Sequence, residues 1–155
     1  MRAITVRQPW ATLLVAGWKR QETRTRALRT FGVTAIHAGL AMPCRIGERI
    51  QIGPFEVERD RGGLLLRGES LAWPYRLPLG AVIGTVDFFQ CRPTTSLEHA
   101  PSDVERSLGD HSPGRFAWST SSPTRISRPV PATGQLGLWT LPDDVEARIR
   151  EQVAL

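Results

Sequence analysis

The sequence predicts an α+β fold, a small mixed β-barrel with flanking helices, and three observations support this prediction. Ala81 to Gln90 alternates between two sets of side chains, with the period of two that is typical of a strand. Several shorter strand-like segments are separated by glycine and proline. Near the end of the chain, Val145, Ile149 and Val153 recur every four residues, which indicates a packed helix. The 155 residues suit one domain, predicted to span residues 1–155.

The N-terminal part begins with a predicted strand at Ala3 to Val6. A helix then begins at Pro9, where the missing N–H costs nothing, and Gly17 is well placed to end it. Gln21 to Thr25 alternates like a charged strand. Val33 to His37 is apolar enough to be a strand inside the barrel.

The middle of the chain is less regular. Gly62 and Gly63, followed by Leu64 to Arg67, predict a hairpin arm. The polar stretch from Pro93 to Pro113 is predicted to form a short helix with loops.

Two more strands and a helix are predicted towards the C-terminus. Phe116 to Ser119 and Leu136 to Leu141 are the strands, with an extended proline-rich connection over Pro123 to Pro131. The final helix is expected over about 142–153, because Pro142 fits its first position and Asp143 and Asp144 suit its dipole.

Composition favours an anionic partner. The net charge is +5, and Lys19 is the only lysine among twenty basic residues. Cys44 and Cys91 are isolated, and no histidine stands at metal-ligand spacing, so we expect no metal and no organic cofactor. No signal peptide and no run of about 18 apolar residues is present. We therefore expect a soluble, cytoplasmic protein without membrane contact.

The first candidate for chemistry is Gly17 to Arg24, GWKRQETR, at a helix-to-strand turn. On a strand, Glu22 and Arg24 share one face and Thr23 points to the other, while Lys19 lies in the preceding turn. A lysine, a carboxylate and an arginine so close together suit a phosphate or the amide of a base. The alternative is a surface salt-bridge cluster that contributes at most about 1 kcal/mol.

The second candidate is Arg7, Gln8 and Trp10 at the start of the first helix. A helix N-terminus attracts anions, tryptophan offers a stacking face, and arginine or glutamine can contact a base edge. Core packing is the alternative role for Trp10.

Further candidates lie elsewhere in the chain. His37 ends an apolar strand and becomes functional only if the fold brings it near Lys19. Arg115 and Trp118 again place a cation beside an aromatic ring. A basic rim near the first segment is consistent with phosphate contacts and comprises Arg20, Arg24, Arg26 and Arg29.

In this order the segments resemble the ASCH family, whose fold is PUA-like. The matching motifs are VRQPWA (Val6 to Ala11), GWKRQETR (Gly17 to Arg24) and IHAG (Ile36 to Gly39), and AVIGTVDFFQC resembles the family's late strand. GRFAW, the PVP of Pro129 to Pro131 and GLW resemble a subgroup of small bacterial and phage members.

The resemblance implies nucleic-acid binding, with Lys19, Glu22 and Arg24 in a cleft and Gln8, Trp10 and His37 nearby. The family also contains a ribonuclease, as well as a branch that hydrolyses the acyl amide of N4-acetylcytidine with a lysine, a threonine and a glutamate. Lys19 matches the lysine of that branch. The threonine position falls on Glu22, and the glutamate has only Asp87 or Glu98 as candidates.

A carboxylate beside a lysine favours the charged amine unless burial outweighs it, so we expect Lys19 to act as a cation. These observations lead to three hypotheses for the function of the chain. The first is a module for single-stranded RNA, or for a modified nucleobase, that contacts RNA, DNA or a modified nucleoside. The second is a hydrolase on the same cleft, with Lys19, Glu22 and His37 as stabiliser, base and acid in RNA cleavage, or less favourably an N4-acylcytidine amidohydrolase. The third is a protein-interaction adaptor with Pro123 to Pro131 exposed.

Overall fold

The computed structural model describes residues Met1–Ala154 and has an α+β architecture of ten strands and three short helices within that range. The strands are β1 (Arg2–Val6), β2 (Gln21–Arg24), β3 (Gly32–Ala38), β4 (Arg49–Ile52), β5 (Phe55–Asp60), β6 (Gly63–Gly68), β7 (Tyr75–Arg76), β8 (Ala81–Pro93), β9 (Phe116–Pro131) and β10 (Leu138–Thr140). The helices are α1 (Trp10–Val15), α2 (Asp103–Ser107) and α3 (Asp143–Arg150).

The larger sheet has six strands in the order β10-β1-β3-β8-β9-β2 and curls into a half-barrel. Only β1 and β3 run parallel within it, and the other neighbours are antiparallel. The α+β class predicted from the sequence is confirmed. Strand β2 pairs with the first part of β9, from Gln21 opposite Ser119 to Arg24 opposite Phe116, and this pairing places the polar GWKRQETR segment at an edge of the sheet.

A second, four-stranded sheet in the order β4-β5-β6-β7 contains the predicted hairpin arm. The hairpin turns between Asp60 and Gly63, as the two glycines indicated, and it pairs β5 with β6. Strands β4, β5 and β7 did not emerge from the sequence, because glycine, proline and charges interrupt the alternation there.

Strand β9 is longer than its sequence indicated. Pro123 to Pro131 is not a connection between strands but the second part of β9, and it pairs with β8 from Thr85 opposite Thr124 to Ala81 opposite Pro131. Strand β2 covers only the first part of β9, so the second part has β8 as its one sheet neighbour. Proline is tolerated there because the outward-facing N–H groups of an edge need no partner strand.

The core lies on both faces of the curled sheet. Leu14 of α1 packs against Ile36, Val86 and Phe88 on one face, and Ile149 of α3 packs against the other. A third cluster joins Leu13 of α1 to the four-stranded sheet and to Leu108 after α2. Helix α1 therefore contributes to two of the three clusters. Helix α3 spans Asp143–Arg150 and is shorter than the predicted range of 142–153.

Candidate functional site

A cleft of about 870 Å³ opens where the two sheets and α2 meet. Its wall includes Lys19 and the strand β2, the end of β1, and the segment after α2. Cationic and aromatic side chains predicted from the sequence line it, namely Arg7, Trp10, Lys19, Arg24 and Arg115. The anionic side chains on the lining are Glu22 and Asp110.

Lys19 is directed into the protein by the end of α1. The backbone N–H groups of Trp18 and Lys19 both donate to the carbonyl of Leu13, at 3.0 Å each, and so close the helix at this turn. The side chain of Lys19 is almost fully buried, with a residue exposure of 1%. Its Nζ donates to the carbonyl of Gln21 and lies 3.9 Å from Glu22 Oε2 and 4.0 Å from Glu105 Oε1.

Burial lowers the pKa of Lys19, and this effect outweighs the opposite effects of Glu22 and Glu105. The condition attached to the expectation for Lys19, that burial does not outweigh the carboxylate, is therefore not met. The carboxylate acts as expected, but removing the ammonium group from water has the larger influence. Lys19 is an amine whose proton is held less tightly than that of an exposed lysine.

Glu22 and Arg24 form an ion pair along one face of β2. Arg24 Nε donates to Glu22 Oε1 at 2.8 Å, and Arg24 Nη2 donates to the carbonyl of Thr5 at 3.0 Å. Glu22 is buried, whereas about a third of the Arg24 side chain is exposed. The pair therefore ties β2 to β1 while leaving part of the guanidinium open to the cleft.

Glu105 is the site residue that sequence reasoning missed. Its carboxylate accepts from the backbone N–H of Arg20 at 3.0 Å and of Gln21 at 2.9 Å, and so holds the start of β2. A signal was present, because Ser102 and Glu105 have the spacing of a helix-capping box. The Ser102 hydroxyl does cap α2, at 3.1 Å from the Glu105 N–H, but the Glu105 carboxylate bonds to β2 instead.

Gly109 marks a crowded point of the cleft wall. A methyl group on Gly109 would lie 3.3 Å from Lys19 Nζ, 3.4 Å from His111 Nε2 and 3.6 Å from Thr23 Oγ1. The hydroxyl of Thr23 therefore approaches the same point as the amine, and Thr23 lines the cleft together with Glu22. This corrects the expectation that strand alternation would direct Thr23 away from the cleft.

Arg115 fixes the loop that follows α2 against β2. Its Nη2 donates to the carbonyl of Thr23 at 3.0 Å, and its Nε lies 3.6 Å from the carboxylate of Asp110. The guanidinium therefore belongs to the cleft wall, as the sequence suggested, although it comes from a distant part of the chain.

Several candidate residues lie outside the cleft. Gln8 is fully buried, where it accepts from the N–H of Thr12 at 3.1 Å and donates to the carbonyl of Pro78 at 2.9 Å. Trp118 is buried edge-on against Phe88, and its Nε1 donates to the carbonyl of Arg26 at 3.0 Å. Neither side chain offers a surface to a ligand in this arrangement.

His37 is buried and does not line the cleft. Its Nε2 donates to the carbonyl of Ala132 at 2.9 Å, and its ring meets Trp139 edge-on with the centroids 5.8 Å apart. Because a carbonyl only accepts, the proton is on Nε2, and burial lowers the pKa of this imidazole. The role of general acid expected for His37 has no support in this geometry.

The remaining candidates are spread over the surface. Arg26 is exposed and does not line the cleft, whereas Arg20 lines a second pocket. Asp87 does not line the cleft, and Glu98 pairs with Arg92 at 3.0 Å.

Within Met1–Ala154, no group of three or more histidine, cysteine, aspartate or glutamate side chains is placed to hold a metal ion. No helix in that range has the length and apolar character needed to cross a membrane.

Comparison with known proteins gives relatives in sequence and in fold. The chain is 29% identical over 139 residues to human activating signal cointegrator 1 and 28% identical to the mouse protein. These matches cover 89% of the chain but only 22% of each relative. No family model matches the chain.

Solved structures with a similar fold are also found. The ASCH protein from Zymomonas mobilis matches with a TM-score of 0.54 and 15% identity, and the match covers 97% of this chain and 93% of that protein. A point mutant of the same Zymomonas mobilis protein matches with a TM-score of 0.53, over 97% of this chain and 96% of the mutant chain. The resemblance predicted from the sequence motifs is confirmed, and the chain shares its α+β fold with the ASCH protein from Zymomonas mobilis.

Proposed function

We propose that the chain binds single-stranded RNA, or a modified nucleobase, in the cleft around Lys19. The observation that carries this proposal is a single buried lysine at the wall of a cleft that also presents Arg7, Arg24 and Arg115. Guanidinium groups suit phosphate oxygens because their N–H groups form a rigid fork. The volume of about 870 Å³ falls in the range usual for small-molecule sites.

The half-buried Trp10 adds a face for stacking beside these cations. Aromatic stacking and phosphate contacts are the two interactions by which proteins hold single strands. The net charge of +5 contributes a favourable long-range attraction to the same ligands.

The test is a titration of labelled single-stranded RNA, and of the equivalent DNA, into wild-type protein and the Lys19→Met variant. Methionine keeps the length of the side chain without its charge, so we expect at least tenfold weaker binding. Three arginine contacts to phosphate predict that log K changes with log salt with a slope of about −2, or about 15-fold weaker binding between 50 and 200 mM salt.

Arg148→Met is the matched control, because it removes one charge from an exposed residue of α3 that lines neither pocket. Its affinity should stay within about twofold of wild type, in keeping with its distance from the site. Absence of a salt-sensitive gel shift with both nucleic acids would contradict polynucleotide binding, and a free modified nucleoside would then be the ligand to test.

A hydrolase on the same cleft is the second candidate. It is favoured by the lowered pKa of Lys19 and by the closeness of Lys19 Nζ and Thr23 Oγ1 to one point beside Gly109. An amine with a lowered pKa near a hydroxyl is an arrangement suited to general base chemistry. The same gels report strand cleavage. Cleavage that disappears in both Lys19→Met and Thr23→Val would favour the enzyme, and intact strands would exclude a ribonuclease.

A further inference from the structure

A second pocket of about 300 Å³ adjoins the cleft at the start of β2. Lys19 lines the cleft, and the next two residues, Arg20 and Gln21, line this pocket. Because Lys19 and Arg20 are consecutive residues, the linings of the two cavities meet at this point of the chain. The remaining lining residues come from β8, β9, α2 and the two residues before α2, namely Phe89, Pro101, Ser102, Glu105, Ser119 and Thr120.

Phe89 projects from a β-bulge. In the pairing of β8 with β9, Phe88 lies opposite Thr120 and Gln90 lies opposite Ser119, so Phe89 is one extra residue in the strand. A bulge redirects a side chain that regular alternation would place elsewhere, and bulges are frequent beside functional sites. Phe89 is 55% exposed as a residue, whereas Phe88 is fully buried in the core.

The backbone of Arg20 is fixed by hydrogen bonds on both sides of the residue. Its N–H donates to Glu105, and its carbonyl accepts from the N–H and the hydroxyl of Thr120, at 2.9 and 3.0 Å. Its guanidinium forms no ion pair and no hydrogen bond with any residue of Met1–Ala154. Hydrogen bonds therefore hold the N–H and the carbonyl of Arg20, while its guanidinium remains free to contact a ligand.

Glu105, the acidic residue of this pocket, presents little free charge to a ligand. Both carboxylate oxygens accept backbone N–H groups of β2, and Lys19 Nζ lies 4.0 Å away. Besides the amide of Gln21, the pocket contains the hydroxyls of Ser102, Ser119 and Thr120, which retain acceptor capacity. An aromatic face, a free guanidinium and several hydroxyls together suit a base that is attached to a phosphate.

We propose that this pocket holds the nucleobase adjacent to the one in the main cleft, stacked on Phe89, with Arg20 on the phosphate that joins them. The proposal rests on the proposed function and narrows it. The ligand is then a single-stranded polynucleotide of at least two residues and not a free nucleoside. The cleft binds one nucleotide, and the second pocket binds the nucleotide next to it in the strand.

The test measures binding of oligoribonucleotides of one, two and four residues, each a mixture of the four bases, to wild-type, Phe89→Ser and Arg20→Met proteins. We expect both variants to bind the tetramer at least fivefold more weakly, which is the lower end for loss of one stacked base. Binding of the mononucleotide should change less than twofold. Phe31→Ser is the control for Phe89, because Phe31 is 52% exposed and lines neither pocket. Arg148→Met controls for Arg20.

The outcomes separate this proposal from the function on which it rests. If Lys19→Met weakens the tetramer while Phe89→Ser and Arg20→Met leave it unchanged, the second pocket is not a nucleotide subsite and the main cleft remains one. Equal losses for the mononucleotide and the tetramer would also overturn the subsite. A change in self-association on sedimentation without any change in RNA affinity would assign the Phe89 surface to protein contact instead. If wild-type protein binds none of the probes, the second pocket is not a nucleotide subsite and polynucleotide binding is contradicted, which leaves a free modified nucleoside as the ligand to test in the main cleft.

Discussion

Lys19 shows how a single residue acquires properties that its neighbours in sequence do not determine. Glu22, three positions away, raises its pKa, as the spacing suggested, and Glu105 adds to that effect from α2. Desolvation opposes both and is the largest contribution. The side chain therefore combines proximity to two carboxylates with a weakened hold on its proton.

This balance predicts a measurable titration. Lys19 is the only lysine, so protein labelled with ¹³C-lysine gives one Cε resonance to follow against pH. We expect a pKa below that of free lysine in the wild type, and a lower one in Glu105→Gln, because that variant removes an opposite charge. A pKa that rises in Glu105→Gln would contradict this account. Glu98→Gln is the matched control, since Glu98 pairs with Arg92 and does not line the cleft.

Helix α1 and the strands β8 and β9 are held together at Gly84. A Cβ atom there would lie 2.2 Å from the carbonyl oxygen of Thr124 on β9 and 2.9 Å from Val15 of α1. Neither the backbone oxygen nor the packed helix can move away without loss of pairing or of core contacts. Glycine within a strand often marks such a close approach.

We therefore expect Gly84→Ala to destabilise the protein by about 3 kcal/mol or more, the range of severe packing and backbone changes. Denaturant unfolding of the variant measures the effect. Gln90→Ala, on the same strand, should cost less than about 1 kcal/mol. A Gly84→Ala protein as stable as wild type would show that α1 and β9 can separate at this point.

All three histidines lie in surroundings that disfavour the charged form of the imidazole. Burial is the largest cause of the lowered pKa at His37, His99 and His111, and His99 and His111 additionally share a 2.9 Å hydrogen bond in a stacked pair. An unfolded histidine titrates near pH 6.5. Between that pH and the lower folded pKa values, the unfolded state binds more protons than the folded state.

Stability must therefore fall as pH decreases below about 6.5, whereas well above that pH the histidines bind no protons in either state and their contribution is constant. Thermal melts from pH 7.5 to pH 5 should show a steady fall in Tm. The variants His37→Gln and His111→Gln should each flatten this profile, because a neutral amide takes no part in the linkage. A melting temperature independent of pH over this interval would contradict the lowered pKa values of the three histidines.

The sequence by itself determined the fold class, the family resemblance and the grouping of Lys19, Glu22 and Arg24, because these depend on local alternation and short spacing. Only the tertiary structure placed Glu105 beside Lys19 and Arg115 beside Thr23, and held His37 and Trp118 in packed positions that do not line the cleft. It also showed that burial outweighs the carboxylates at Lys19. The physical reason is that desolvation and charge interactions depend on distances through space, and residues far apart in sequence set those distances only when the chain folds.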